Sequence, residues 1–486
     1  MKQVALLAGV LALALLPAIV AAAPASIIAT ATPTPIPSVA PSTMPYPAYG
    51  TPAPGVAADA PVPGVPQNIT LAQAISIAVA KSPVLASARG SEALAGAQVD
   101  LARVPSLPNL LATGATTHGN SAGSGGAGGG ARPVSGAFTQ NSLTANLRQL
   151  IFDGGRVAAQ IRAAHENQQG AVATYRRNLQ TVAFTVANAY YVALAAQRAT
   201  HLAAQVVRQN QVQENLVLAQ IRAGSAARSD LSTAEFPTAA ARVALVRAQG
   251  AELSAYATFA NALGLEANAN VRPIDDTPAN PTATLLQAPL LTYASAYARA
   301  LALRPDYDAA TRSVDAAKES LRAARLGLFP ALSGTASYGT SSTNATGGDF
   351  RGSNSIGAAL AIPIFDQGQT KASKEQAQAQ LDIVSANLNT ARLGIGLSVQ
   401  QALVNLITAH AAVQQTQAEL TKAQDVLRAT QAQYKAGVTT LPLLLNAQVG
   451  ITQAQTDQLN AIYALRQAEQ SYVYALGEND IVDTTR

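Results

Sequence analysis

From residue 67 onward the chain is written twice. Ser82-Pro83 is echoed by Arg304-Pro305, and Leu107-Pro108-Asn109-Leu110 by Phe329-Pro330-Ala331-Leu332, with the prolines displaced by 222 residues. Further on, Ile151-Phe152-Asp153-Gly154-Gly155 is echoed by Ile364-Phe365-Asp366-Gln367-Gly368 at an offset of 213. Ala223-Gly224 against Ala436-Gly437, and Ala262-Leu263-Gly264 against Ala475-Leu476-Gly477, keep that same 213. The offset changes once, by nine residues, where the first copy holds the Gly/Ser-rich tract Gly119 to Gly136, which reads as a longer surface loop. Matches in a fixed order with one insertion mean duplication, so an element assigned in one copy has to recur in the other.

Each copy begins with a helix (about Thr70 to Val104; Tyr293 to Leu326) that ends near a proline, and two strands separated by a Gly/Ser/Asn-rich turn follow. In the first copy Leu143, Ala145, Leu147 and Ile151 alternate with Ser142, Thr144, Asn146 and Arg148. In the second, Ile356, Ala358, Leu360, Ile362 and Ile364 alternate with small residues and Pro363. The 213 offset lays Leu143 on Ile356, Leu147 on Leu360 and Ile151 on Ile364, with Gln149 a polar break in the apolar face. Alternation over about ten residues is the per-strand mark of a membrane barrel, one it shares with half-buried strands of soluble sheets.

Gly155 to Arg222 and Gly368 to Lys435 then run without a proline. Tyr175, Leu179, Val182, Val186, Ala189, Ala193 and Ala196 recur at spacings of four and three. The second-copy seam of Leu388, Arg392, Ile395, Val399, Ala402, Leu406 and Ala409 departs only at Arg392. This is coiled-coil spacing, and at 1.5 Å per residue each helix is about 100 Å long, which no ordinary globular core needs. Gly224 and Gly437 reverse the chain into returning helices that end at Gly264 and Gly477. Pro237 in the first returning helix corresponds to Gly450 in the second, a level at which both are expected to bend.

The amino-terminal part differs in kind. Lys2, the apolar run Val4 to Val20 and the small residues Ala21 to Ala25 read as a secretory signal, residues 1–25, removed on export. Residues 26–67 read as a disordered spacer, since Pro24 to Pro66 holds 12 prolines among Ala, Thr and Ser. After these come the first repeat (68–266), a connecting segment (267–289), the second repeat (290–478) and a tail (479–486). No later stretch reads as a membrane-spanning helix, so a membrane crossing has to use strands. Without cysteine, disulfide scaffolds, thiolate metal sites and a lipid-modified N-terminal cysteine are excluded. Only 12% of residues are charged, and 32 basic against 27 acidic side chains is too thin an excess to suggest nucleic acid.

Four candidate membrane strands cannot close a barrel, and lipid cannot satisfy an open sheet edge, so the chain is expected to oligomerise. Two chains would give eight strands with a filled interior; three would give twelve and leave a conduit. The long helices would continue that wall as a tube on the periplasmic side. Over residues 68 to 480 this pattern resembles the TolC-like outer membrane efflux proteins. The likeness rests on the duplicated layout, Leu71-Ala72-Gln73-Ala74-Ile75 with Ser82-Pro83, Ala300-Leu301-Ala302-Leu303-Arg304-Pro305-Asp306, Ile151-Phe152-Asp153-Gly154-Gly155, Arg222-Ala223-Gly224 and Tyr434-Lys435-Ala436-Gly437.

The resemblance implies a mainly α fold with a small β part: long-helix hairpins forming a periplasmic tunnel under a trimeric 12-stranded outer-membrane barrel. It implies a homotrimeric, passive exit duct of a tripartite efflux or type I secretion assembly. Such a duct docks a periplasmic adaptor at its helical tips and reaches an inner-membrane transporter indirectly. It makes Arg222, Gly224, Lys435 and Gly437 the adaptor-docking turns. Asp230, Tyr434 and Asn446 become the candidate periplasmic gate, with Asp230 and Tyr434 a latching pair. Leu443 and Asn446 stand where some relatives carry pore-facing aspartates. No enzyme activity, cofactor or metal is assigned: His118, His165, His201 and His410 are scattered, and Gly125 to Gly130 lacks the Gly-Lys-Ser/Thr of a phosphate loop. The competing reading is a secreted coiled-coil structural or adhesive protein without a pore.

Overall fold

The computed structural model describes residues 66–121, 136–225, 227–274, 292–343 and 349–478. The expected signal, spacer and tail, most of the connecting segment and most of the Gly119 to Gly136 loop lie outside them. The first copy comprises β1 (Asn68–Ile69), α1 (Leu71–Lys81), α2 (Pro83–Arg103), β2 (Asn109–Ser121), β3 (Gly136–Phe152), α3 (Arg156–Arg222) and α4 (Ser229–Ala262). After β4 (Arg272–Pro273) the second copy runs α5 (Tyr293–Leu303), α6 (Pro305–Arg325), β5 (Ala331–Thr343), β6 (Arg351–Ala361), α7 (Gln369–Lys435) and α8 (Leu441–Leu476).

The single opening helix expected in each copy is two helices. Ser82 and Arg304 are extended (ψ 121° and 119°), and Pro83 and Pro305 open α2 and α6. A proline forces its predecessor out of the α region while fitting the first helical turn, so the chain breaks there by necessity. In the first copy the break bends the axis by 48°. Thr70 and Gln73 form a reciprocal capping box at the start of α1, and Thr292 accepts from Ser295 N at the start of α5.

The strand-to-helix turns are built identically. Asp153 accepts from Gly155 N (3.0 Å) and Val157 N (2.7 Å), and Asp366 from Gly368 N (3.1 Å) and Thr370 N (2.7 Å). A carboxylate there satisfies orphan N–H groups and meets the positive end of a 67-residue helix.

α3 lies against α2, α4, α6 and α8, and α7 against α6 and α8. The expected seam is the core. Val182, Val186, Ala189 and Ala193 are buried with Ile75, Tyr190, Phe259 and Leu263, and Tyr175, Leu179 and Ala196 pack against them. Its counterpart buries Ile395, Val399 and Ala402 with Ala296, Ala300 and Leu476. Arg392 leaves the seam because it is exposed and donates from Nε to Tyr297 Oη at 3.1 Å. Contrary to expectation, α3 is apolar enough over one window to pass as a membrane span, but half of that window is buried against protein. α4 runs unbroken through Pro237, whose carbonyl accepts from Asn210 Nδ2 at 3.1 Å.

The four long strands form one antiparallel sheet in the order β2-β3-β5-β6. The Gln149 side chain, the polar break on the apolar face, donates to the carbonyls of Ser106 (2.8 Å) and Leu150 (2.9 Å), which removes its cost.

Candidate functional site: helical tips and a two-faced sheet

The register sorts the sheet into two chemically opposed faces. Leu110, Leu147, Ala336 and Ile356 lie directly abreast on one face. Leu143, Ile151, Leu332 and Leu360 extend that face along the strands. On the other, Asn146, Ser337 and Ser355 are abreast with Leu111, the one large apolar member of that row; Thr113, Thr144, Gly339 and Ser353 form the next, and the Ser337 and Ser355 hydroxyls are 2.8 Å apart. In a bilayer the first face must meet lipid and the second water. Arg148 and Arg351 are both on the polar face, consistent with a cost of about 2–4 kcal/mol for an arginine facing lipid at the midplane.

At the far end of the long helices both hairpins turn by one device. In the first, Gly224 N donates to Ile221 O (3.0 Å) and Ser225 N to Gln220 O (2.9 Å); in the second, Gly437 N donates to Tyr434 O (3.0 Å) and Val438 N to Gln433 O (2.9 Å). This is the Schellman arrangement, with Gly224 and Gly437 at φ 75° and 74°. No atom lies within 4 Å of where a Cβ would sit on either glycine, so backbone conformation alone demands glycine there. Arg222 and Lys435 are the exposed last residues of α3 and α7.

The four tip helices meet in a small core of Val217, Ala234 and Leu441, against which Ile221, Tyr434 and Leu445 pack. Tyr434 is half-buried here and donates from Oη to Gln220 Oε1 at 3.1 Å, tying α7 to α3. It does not meet Asp230 in this structure. The Asp230 carboxylate accepts from Ala227 N (3.3 Å) in the first turn of its own helix, satisfying a local donor where a negative charge is favourable. Asn446 is exposed one turn beyond Leu443, on the same side of α8. Gln220 is the partner that sequence reasoning missed, although the 213 offset pairs it with Gln433, the equivalent acceptor position of the second turn.

A third constellation joins the copies midway along the helices. The guanidinium of Arg304, on a side chain only 8% exposed, grips Asp306 through Nη2 (2.6 Å) and Nε (3.0 Å). It also donates to Ser398 Oγ (2.9 Å) and Ala475 O (3.2 Å). Arg177 approaches the same carboxylate at 3.7 Å and lies 3.8 Å over the Tyr474 ring. Burial pushes the Asp306 carboxyl up, but the hydrogen bond from Arg304 and the charges of Arg177 and Arg304 outweigh it and hold it below the ordinary carboxylate range. The Arg304-Pro305-Asp306 run was visible in the sequence, but its partners 94 and 171 residues away were not.

Among the described residues no group of three or more His, Asp or Glu side chains converges as a metal site. His118 Nδ1 lies 2.8 Å from Thr139 Oγ1, and His165 Nδ1 lies 3.1 Å from Gln169 Nε2.

A family profile described as "Outer membrane efflux protein" matches residues 74–265 and 296–478, one segment in each copy. The chain belongs to this family. Outer membrane efflux proteins are transport channels, and this chain is accordingly an outer-membrane channel protein of the efflux and secretion type. Among curated relatives, protein CyaE of Bordetella pertussis is 29% identical over 448 residues, covering 89% of both chains. The outer membrane efflux protein BepC of Brucella suis is 28% identical over 353 residues, covering 70% of this chain and 74% of that one. The crystal structure of CusC superimposes with a TM-score of 0.74 at 21% identity, over 84% of this chain and 92% of that one, and shows the same fold. The pore-less adhesive reading finds no support, since it gives the two-faced sheet nothing to do.

Proposed function

We propose that three copies close one passive conduit, a 12-stranded barrel in the outer membrane continued by an α-helical periplasmic tunnel. The observation that carries this is the sheet order: among the described residues β2 and β6 each keep one unpaired edge. Hydrocarbon offers no donors or acceptors to such an edge, and four strands are too few to close on themselves. A second support lies on the helices. Phe236, Val243, Val246 and Leu253 form an exposed heptad stripe on α4, and Leu393, Leu397, Val404 and Ile407 form another on α7. Stripes of this spacing pair as coiled-coil seams between neighbouring copies.

In this assembly the tips face away from the membrane. Arg222, Gly224, Lys435 and Gly437 present two matched turns to a periplasmic adaptor, through which an inner-membrane transporter is reached. Asp230, Tyr434 and Asn446 stand at the gate, and the Tyr434–Gln220 bond holds α7 to α3 in the arrangement seen here. Outer-membrane fractionation, cross-linking of purified protein and planar-bilayer conductance test the reading together. A membrane-embedded, three-chain, conducting species is expected. A soluble or non-conducting protein would refute it.

A further inference from the structure

The four long strands carry charge of one sign. Across β2, β3, β5 and β6 the only Lys, Arg, Asp or Glu side chains are Arg148 and Arg351, so no carboxylate lies on any of these strands. Both arginines share the polar face: Arg148 is abreast of Asn109 and Thr335, and Arg351 shares its side of β6 with Ser353 and Ser355. Both side chains are exposed. Arg148 lies near the helical end of β3, and Arg351 begins β6 at the opposite end of the sheet. Their neighbours on that face, Thr144, Asn146, Ser337, Ser353 and Ser355, are neutral. Asp349, exposed just before β6, is the acid closest in sequence to either arginine.

The tips do not oppose this. Arg222, Arg228 and Lys435 flank the two turns against Asp230, and Leu443 and Asn446 place no carboxylate on the first turn of α8.

We propose, resting on the trimeric conduit above, that the barrel is anion-selective and that Arg148 is the residue that sets the selectivity. Three copies place a ring of three guanidinium groups at the helical mouth of the barrel, and Arg351 adds a second ring at the outer mouth. Three unit charges about 10 Å from the axis, in water and screened over one Debye length at 0.1 M salt, raise the anion-to-cation ratio roughly fivefold. The class of solute favoured is therefore small anions and solutes carrying carboxylate, sulfonate or phosphate groups.

The test is the reversal potential of the full-length protein in a planar bilayer under a potassium chloride gradient. Wild type should pass chloride in preference to potassium. R148K should keep that preference, R148Q should reduce it severalfold, and R148E should turn it toward potassium. A conducting wild type that prefers potassium, or a preference unchanged in both R148Q and R148E, overturns the assignment while leaving the conduit standing. A non-conducting wild type overturns the conduit itself, and the selectivity with it.

Discussion

Replacing Asp306 by asparagine should cost more stability than replacing Arg304 by methionine, although Arg304 is the more buried partner. D306N removes the charged partner of the Arg304 guanidinium, on a side chain 8% exposed, and leaves it only neutral acceptors: Ser398 Oγ, Ala475 O and one amide oxygen. It also leaves Arg177, 12% exposed, beside it with no carboxylate between them. Stranding a buried charge costs about 3–5 kcal/mol, but Asp306 is 37% exposed and water reaches the site, so about 2 kcal/mol is expected. R304M keeps the Asp306–Arg177 approach, removes the repulsion between the guanidiniums and lets water serve the carboxylate, for about 1 kcal/mol or less. Guanidinium unfolding of the detergent-purified protein, followed by far-UV circular dichroism, measures both. The double variant should be no less stable than D306N alone, because methionine removes the stranded charge. An R304M cost equal to or above that of D306N, or additivity in the double variant, would refute the reasoning.

The same cluster fixes a pH dependence. The folded Asp306 carboxyl sits below its ordinary value, so its stabilisation is complete above the unfolded carboxylate's pKa of about 4 and is lost as pH falls through the lower folded value. Wild type should therefore lose stability in that acid window, and D306N should lose less.

Other consequences are local. G154A should destabilise by about 2 kcal/mol, because the added Cβ would sit 2.7 Å from Phe329 Cβ, whereas Q367G should be neutral or slightly stabilising, since Gln367 occupies φ 55°; thermal unfolding distinguishes the two. G224V or G437V should cost about 1–2 kcal/mol in its turn yet leave membrane-inserted protein, while efflux falls; unchanged efflux would count against docking at the tips. Y434F, losing the bond to Gln220, should raise single-channel conductance if that bond holds the gate.

Much of this architecture was legible because it was written twice. Two weak alternations in phase at a fixed offset separate a strand from a coincidence, and two proline-free stretches with one seam separate a long helix from a linker. What stayed hidden depended on contacts distant in sequence. The helix breaks at Ser82 and Arg304 are the exception, since Pro83 and Pro305 alone dictate them. The Asp230–Tyr434 latch drew on resemblance, whereas the structure gives Tyr434 to Gln220, a residue one helix away that no local pattern marks. Gln149 broke the apolar face on paper and is harmless in the fold, because its amide reaches the Ser106 carbonyl.

The places where the two copies differ carry further information, since common descent gives each difference a built-in control. Gly154 and Gln367 occupy equivalent left-handed positions, but only Gly154 faces Phe329, so only the first copy is held to glycine. Leu179 packs on the first copy's core, while its counterpart Arg392 is exposed and donates to Tyr297 Oη instead. The surplus apolar surface is divided unequally as well: one exposed stripe lies on the returning helix of the first copy, the other on the long helix of the second. Joining these stripes makes a heterologous, head-to-tail contact rather than a self-complementary pair. Head-to-tail contacts close into rings or run on without end. In a membrane only the ring would also satisfy the edges of β2 and β6, so the proposed closed assembly answers the helix stripes and the sheet edges alike.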